Sequence, residues 1–178
     1  MLVCNHQSYI DPILAVVGLP REASFMARDT LFHDRYFGRL IVSLNAFPVR
    51  RNKADVGAIK ESLRRLKRGE MVVVFPEGTR SADGRIGPMF AGLVAIARKA
   101  RVPIVPALID GMTQAWPRTR MLPVPGDVIV EYSPPIAPET QAGMSAEELM
   151  DEIRNRLIAM QQRRHGRVPA RRLEWYRP

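Results

Sequence analysis

The chain has 178 residues, 46% hydrophobic and 25% charged, a balance that suits one domain with a substantial apolar core. Its single cysteine, Cys4, excludes an intramolecular disulfide and fits a reducing compartment. The net charge of +9 and a sequence pI near 10.5 point to anionic partners.

No stretch approaches the about 18 apolar residues of a membrane-spanning helix. Asn5 and His6 interrupt the N-terminus before a signal-peptide hydrophobic region can develop. Any contact with a bilayer is therefore expected from the side.

In chain order, Leu2–Cys4 reads as the stump of a strand. A helix is expected to follow, started by Ser8 or Asp11 with Pro12 in its first turn. Val56, Ile59, Leu63 and Leu66 recur at helical spacing, with Lys and Arg on the other face and Gly69 as a stop. Residues 71–75 and 102–108 are short apolar runs rich in Val and Ile, expected as buried strands. Between them, residues 90–100 read as a small apolar helix ending in Arg98 and Lys99. Residues 127–132 alternate like a half-buried strand, and the proline-rich segments 117–125 and 134–138 read as loops. The clearest helix covers 146–165. Ser145 and Glu148 form a capping box, and Leu149, Ile153, Leu157 and Met160 make its buried stripe. Strands alternating with helices predict an α/β fold, with a mixed, largely parallel sheet flanked by helices and one domain over residues 1–178.

The last sixteen residues hold six arginines (Arg163, Arg164, Arg167, Arg171, Arg172 and Arg177) against one acid, Glu174. This reads either as a solvated basic tail or as a contact for an anionic surface. Trp175 and Tyr176 beside the arginines suit a membrane interface. No nucleic-acid fold signature accompanies them, so no nucleic-acid partner is expected.

Chemistry concentrates in two clusters. Asn5-His6-Gln7-Ser8-Tyr9-Ile10-Asp11 spans a strand-to-helix turn. Across such a turn Asp11 can accept a hydrogen bond from one ring nitrogen of His6, leaving the other as a neutral base for a substrate hydroxyl. The plainer reading makes Asp11 a helix cap and His6 a turn residue. Phe75-Pro76-Glu77-Gly78-Thr79-Arg80-Ser81 follows a buried strand, where open α/β sheets place ligands. Gly78 permits a tight turn, and Arg80 offers a planar fork for phosphate. Glu77 could orient Arg80 or accept from a substrate hydroxyl; the plain reading is a surface Glu–Arg pair. Arg50 and Arg51, after Ala46-Phe47-Pro48-Val49, are either solvated or a second anion clamp. Val102-Pro103-Ile104-Val105-Pro106 is a core strand or one wall of the site.

Together these four segments resemble, in order and spacing, the conserved blocks of the glycerolipid acyltransferase family typified by 1-acylglycerol-3-phosphate acyltransferase. Residues 5–11 match its His-x₄-Asp block and residues 75–81 match its third block in full. Residues 45–51 are similar to the second, with Arg51 at the arginine position, and 102–106 to the fourth. The resemblance covers roughly residues 1–135.

It implies catalysis by His6 as general base with Asp11 holding its tautomer. It implies substrate binding by Arg51, Glu77, Gly78, Thr79 and Arg80, with Pro106 bordering the site. The implied donor is acyl-CoA or an acyl carrier protein, with no further cofactor and no metal. The implied acceptor is a lysophospholipid, foremost 1-acylglycerol-3-phosphate, used in phospholipid biosynthesis at an anionic membrane surface. The expected location is peripheral, on the cytoplasmic face of the inner or plasma membrane. The alternatives are another lysolipid acceptor or an inactive lipid-binding relative.

Three departures stand out. Asn45 replaces a usual glycine, and Met89-Phe90-Ala91-Gly92 replaces a usual Phe-Lys-x-Gly. Met1 also falls inside the first strand, so a start truncated relative to the family is expected.

Overall fold

In a computed structural model, which describes residues 1–50 and 55–167, six strands form one sheet in the order β3-β2-β4-β1-β5-β6. They are β1 (Leu2–Cys4), β2 (Ala23–Arg28), β3 (Ala46–Val49), β4 (Met71–Val74), β5 (Val105–Asp110) and β6 (Ile129–Tyr132). The first five are parallel, and β6 pairs antiparallel with β5. The helices among the described residues are α1 (Asp11–Leu14), α2 (Arg35–Ser43), α3 (Val56–Lys67), α4 (Val94–Ala100), α5 (Met112–Ala115), α6 (Pro138–Ala142) and α7 (Ala146–Arg167). The mixed, largely parallel sheet expected from the sequence is present.

Strand alternation divides the core in two. Val3, Val72 and Val74 face one side, where they pack with Val94, Ile96, Leu149, Ile153 and Leu157 of α4 and α7. Leu2, Cys4 and Val73 face the other, with Ala15, Met112 and Ala115. Helices cover both faces, which is why the central strands are near-continuous apolar runs.

The connections position the site. β1 leads through α1 to β2, two places to one side, and β4 leads through α4 to β5, two places to the other. Neighbouring β1 and β4 thus send their exits in opposite directions. A crevice opens at their carboxyl ends, where the two motif-bearing loops emerge.

Several expectations are refined. Strand 102–108 begins only at Val105 and runs to Asp110, while Ile104 makes a single bridge to Ile136. Pro106 is tolerated inside it because residue 106 faces β6 just beyond the last pair, Ala107–Tyr132, where its carbonyl accepts from Ser133 N–H at 2.9 Å. Helix 90–100 is a short 3₁₀ turn, Ala91–Leu93, leading into α4.

The capping box forms as expected. Ser145 N–H donates to Glu148 Oε2 at 2.6 Å, and Glu148 N–H to Ser145 Oγ at 3.1 Å. The arginines at the end of α7 are not simply solvated: Arg163 pairs with Glu131 at 2.9 Å, and Arg164 with the buried Asp110 at 2.9 Å. Arg51 and the tail residues Arg171, Arg172, Trp175, Tyr176 and Arg177 lie outside the described residues.

Gly111 ends β5 with φ of 100°, and a Cβ there would fall 2.1 Å from the Asp127 carbonyl oxygen. Left-handed strain and the clash add together, so Gly111→Ala should lower unfolding free energy by about 3 kcal/mol. Chemical denaturation checks this; an unchanged midpoint would contradict the packing described.

Candidate active site

The residues after β1 are held as a buried polar turn. Asn5 exchanges two hydrogen bonds with Ile109 of β5, each 2.8 Å, which prolongs the sheet past Cys4. Gln7 accepts from Met112 N–H (3.0 Å) and Thr113 N–H (3.2 Å), and donates to the Gly84 carbonyl (3.2 Å). Asp11 is fully buried at the start of α1, and one of its oxygens, Oδ2, accepts from Gln7 N–H and from Ser8 N–H at 2.7 Å.

The same oxygen lies 2.8 Å from Nδ1 of His6. The sequence offered Asp11 as a helix cap or as a histidine partner. It is the histidine's partner, and it binds the N–H groups of the preceding turn; the cap position of α1 is Ile10, with no side-chain capping bond. Nδ1 facing a carboxylate favours the tautomer that carries its proton there. Nε2 then has a bare lone pair and no protein partner among the described residues. The ring also packs on Phe75, with centroids 4.4 Å apart.

The loop after β4 holds the histidine from the other side. Glu77 Oε1 accepts from His6 N–H at 2.9 Å, and Oε2 from Gly87 N–H at 3.1 Å. The His6 carbonyl accepts from Ser81 N–H at 2.7 Å. The expected Glu77–Arg80 pairing is absent, because both Glu77 oxygens are taken by backbone donors. Burial pushes the Glu77 carboxyl above the usual range, although those donors and His6 pull the other way.

Arg80 instead lies over the Tyr9 ring, its guanidinium carbon 3.6 Å from the centroid. Gly78 adopts the positive φ expected of it, 65°. Phe90 lies against Gly78 and is 68% exposed, so it belongs to the surface of this loop rather than to the core.

A groove of 810 Å³ opens beside His6. Thr79 and Arg80 line it; Glu77, Gly78 and Pro106 do not. Glu77 and Gly78 instead shape the loop, and Pro106 sits within β5 opposite Val3. The sequence reading missed much of the wall. Its apolar part includes Ile13, Phe25, Phe37, Leu40, Ile41 and Leu44, and its charged rim adds Arg28 and Arg118 to Arg80. Arg28 carried no usable signal, since it ends β2, a strand without a β-branched residue to mark it. Burial pushes the Cys4 thiol well above its ordinary range, with the charge of Asp11 adding to the effect, so this cysteine is an inert core residue.

Residues 1–110 match the protein family described as Acyltransferase. The chain is 36% identical over 112 residues to the 1-acyl-sn-glycerol-3-phosphate acyltransferase of Bacillus subtilis, covering 62% of this chain and 55% of the relative. It is 34% identical over 158 residues to the chloroplastic BAT2 enzyme of the same description from Brassica napus, covering 87% and 44%. Among solved structures it resembles the crystal structure of the 1-acyl-sn-glycerophosphate (LPA) acyltransferase PlsC from Thermotoga maritima. The TM-score is 0.79 at 31% identity, over 94% of this chain and 67% of that one. The chain spans about half the length of the curated relatives it matches. With the family match covering both motif-bearing loops and the fold agreeing over nearly the whole chain, this protein belongs to the Acyltransferase family.

Proposed function

We propose that the protein transfers a fatty acyl group from a thioester, acyl-CoA or an acyl carrier protein, to the free hydroxyl of 1-acylglycerol-3-phosphate. The observation that carries this reading is the His6–Asp11 contact of 2.8 Å, set at the mouth of an apolar groove rimmed by arginines. In the proposed reaction, Nε2 of His6 takes the acceptor's hydroxyl proton as that oxygen attacks the thioester carbonyl carbon. Asp11 stabilises the ring once it is positively charged. The tetrahedral oxyanion collapses, the C–S bond breaks, and the proton on Nε2 passes to the departing sulfur. The products are the diacyl phosphate ester and the free thiol.

No protein nucleophile is needed, which is consistent with the burial of Cys4. Arg80 and Arg28 are assigned to the acceptor's phosphate, and Arg51 to the same anion. Thr79 is assigned to the bound substrate's rim, and Glu77 and Gly78 to the shape of the loop behind it. The apolar wall from Ile13 to Leu44 suits an acyl chain, and a capacity of 810 Å³ is in the range of ligand sites.

Such substrates reside in bilayers, and the surface beside the groove suits one. Tyr36, Phe37, Leu40 and Val42 of α2 are exposed, as are Ile13 and Val17 by α1, while Arg35 and Arg39 flank them. No helix of the described residues is long and apolar enough to cross a membrane. The proposed position is peripheral, with α2 in the interface of an anionic leaflet on the cytoplasmic face.

His6→Ala should reduce acyl transfer by about 10²–10⁴ without unfolding the protein, measured as thiol release with lysophosphatidic acid as acceptor. Turnover at the wild-type rate in a folded variant would rule out the base. In the same assay Arg80→Ala should raise KM for that acceptor far more than KM for the donor. On the membrane, Leu40→Glu should weaken sedimentation with anionic vesicles at constant salt. Undiminished binding would move the contact elsewhere.

A further inference from the structure

Between β5 and β6 the chain makes an arm that no part of the proposed reaction has used. After α5, Arg120 N–H donates to the Pro117 carbonyl at 3.1 Å, closing a turn over residues 117–120. The Trp116 indole N–H donates to the Arg120 carbonyl at 3.2 Å, and Val124 N–H to the Ala115 carbonyl at 2.8 Å, so the arm is fastened along its length. Its base is tied to the His6 turn, because Gln7 accepts from Met112 and Thr113 N–H. Arg118 occupies the first central position of the turn. Its Nη1 donates to the Arg80 carbonyl at 3.2 Å. The arm therefore reaches across to the loop that carries Arg80 and sets a second guanidinium beside it.

The charge around the groove gives this placement its meaning. The lining residues include Arg28, Arg80 and Arg118 and no carboxylate. None of the three arginines is in an ion pair among the described residues. Elsewhere the fold pairs some of its arginines, such as Arg65 with Glu61, Arg156 with Glu152 and Arg164 with Asp110. Like charges left together at the mouth of an apolar groove repel unless an anion joins them, so the rim is complementary to an amphiphile with an anionic head. Arg118 uses one of five donors on Arg80's carbonyl, and the remaining donors keep the planar fork that matches phosphate.

We propose that Arg118 is a phosphate-recognising residue of the groove, acting with Arg80 on one phosphate group of a substrate. The proposal rests on the transferase reading for the identity of that substrate. The phosphate could belong to the acceptor's glycerol phosphate or to coenzyme A on the donor.

The test uses Arg118→Gln in the full chain, with Arg120→Gln as a control of equal charge on the same arm whose side chain does not line the groove. Calorimetric titration with sn-glycerol 3-phosphate, and separately with coenzyme A, reads binding without requiring turnover. Steady-state assays then compare lysophosphatidic acid with lysophosphatidylcholine, and acyl-CoA with acyl carrier protein. Loss of one charge-assisted contact corresponds to about tenfold or more in Kd.

Weaker glycerol 3-phosphate binding, with a selective fall in kcat/KM for lysophosphatidic acid, supports the proposal with the acceptor as source. Weaker coenzyme A binding, with a selective loss for acyl-CoA, supports it with the donor as source. Arg118→Lys, which keeps the charge but not the fork, should lie between wild type and Arg118→Gln. Wild-type affinities in Arg118→Gln, equal losses in Arg120→Gln, or no binding of either compound by the wild type would overturn it. Arg118-dependent binding in a protein that transfers no acyl group would sink the transferase reading alone.

Discussion

Everything at the site depends on how tightly one residue is held. His6 is fixed through three separate groups. Its ring is fixed by Asp11, its amide N–H by Glu77, and its carbonyl by Ser81 N–H. The first partner lies on α1, while the other two lie on the loop after β4. A histidine secured through side chain and main chain has little freedom to lose when it acts, which is the condition for efficient proton transfer. The two sequence blocks are therefore one physical unit, joined across the crevice between neighbouring strands.

That unit explains the unusual polarity of this part of the interior. Asn5, Gln7, Ser8 and Asp11 are all nearly inaccessible to solvent, within a turn of seven residues. Polar groups buried against a sheet end must find partners, and the side chains of Asn5, Gln7 and Asp11 pair with backbone groups there. Asn5 continues the ladder of β5, Gln7 holds the start of α5, and Asp11 collects the N–H groups of residues 7 and 8. Gly84 extends the network outward. Its carbonyl accepts from Gln7 and also from Gln161 of α7 at 2.8 Å, so the long C-terminal helix braces the turn from behind.

The parts legible in the sequence were those whose determinants are local. The His6–Asp11 pair, the Ser145–Glu148 box and the stripe of α7 depend on spacings of three to five residues. For α3 the spacing marked the helix but not its face: Ala58, Ser62 and Leu66 are buried, while Val56 and Ile59 of the expected stripe are exposed. β2 and β3 were not legible. Ala-Ser-Phe-Met-Ala-Arg has no β-branched residue, and Pro48 in β3 is tolerated only because that strand is an edge. α2 was hidden because its apolar residues point outward and its one buried residue is Gly38, packed against the Phe32 backbone. The partner of Glu77 could not be read either, since His6 N–H and Gly87 N–H reach it only through the fold. Arg28, at the end of β2, and Arg118, in the turn after α5, join the groove from places far apart in sequence, which only the fold brings together.

The central claim is that Asp11 sets His6 as a neutral base with its free lone pair on Nε2. Long-range ¹H–¹⁵N correlation spectra of the labelled protein report this directly, with His6 assigned by its absence in His6→Ala. At a pH where the ring is neutral, the account predicts a protonated Nδ1 and a bare Nε2, with this preference lost in Asp11→Asn. A neutral His6 ring that carries its proton on Nε2 in the wild-type protein would contradict it.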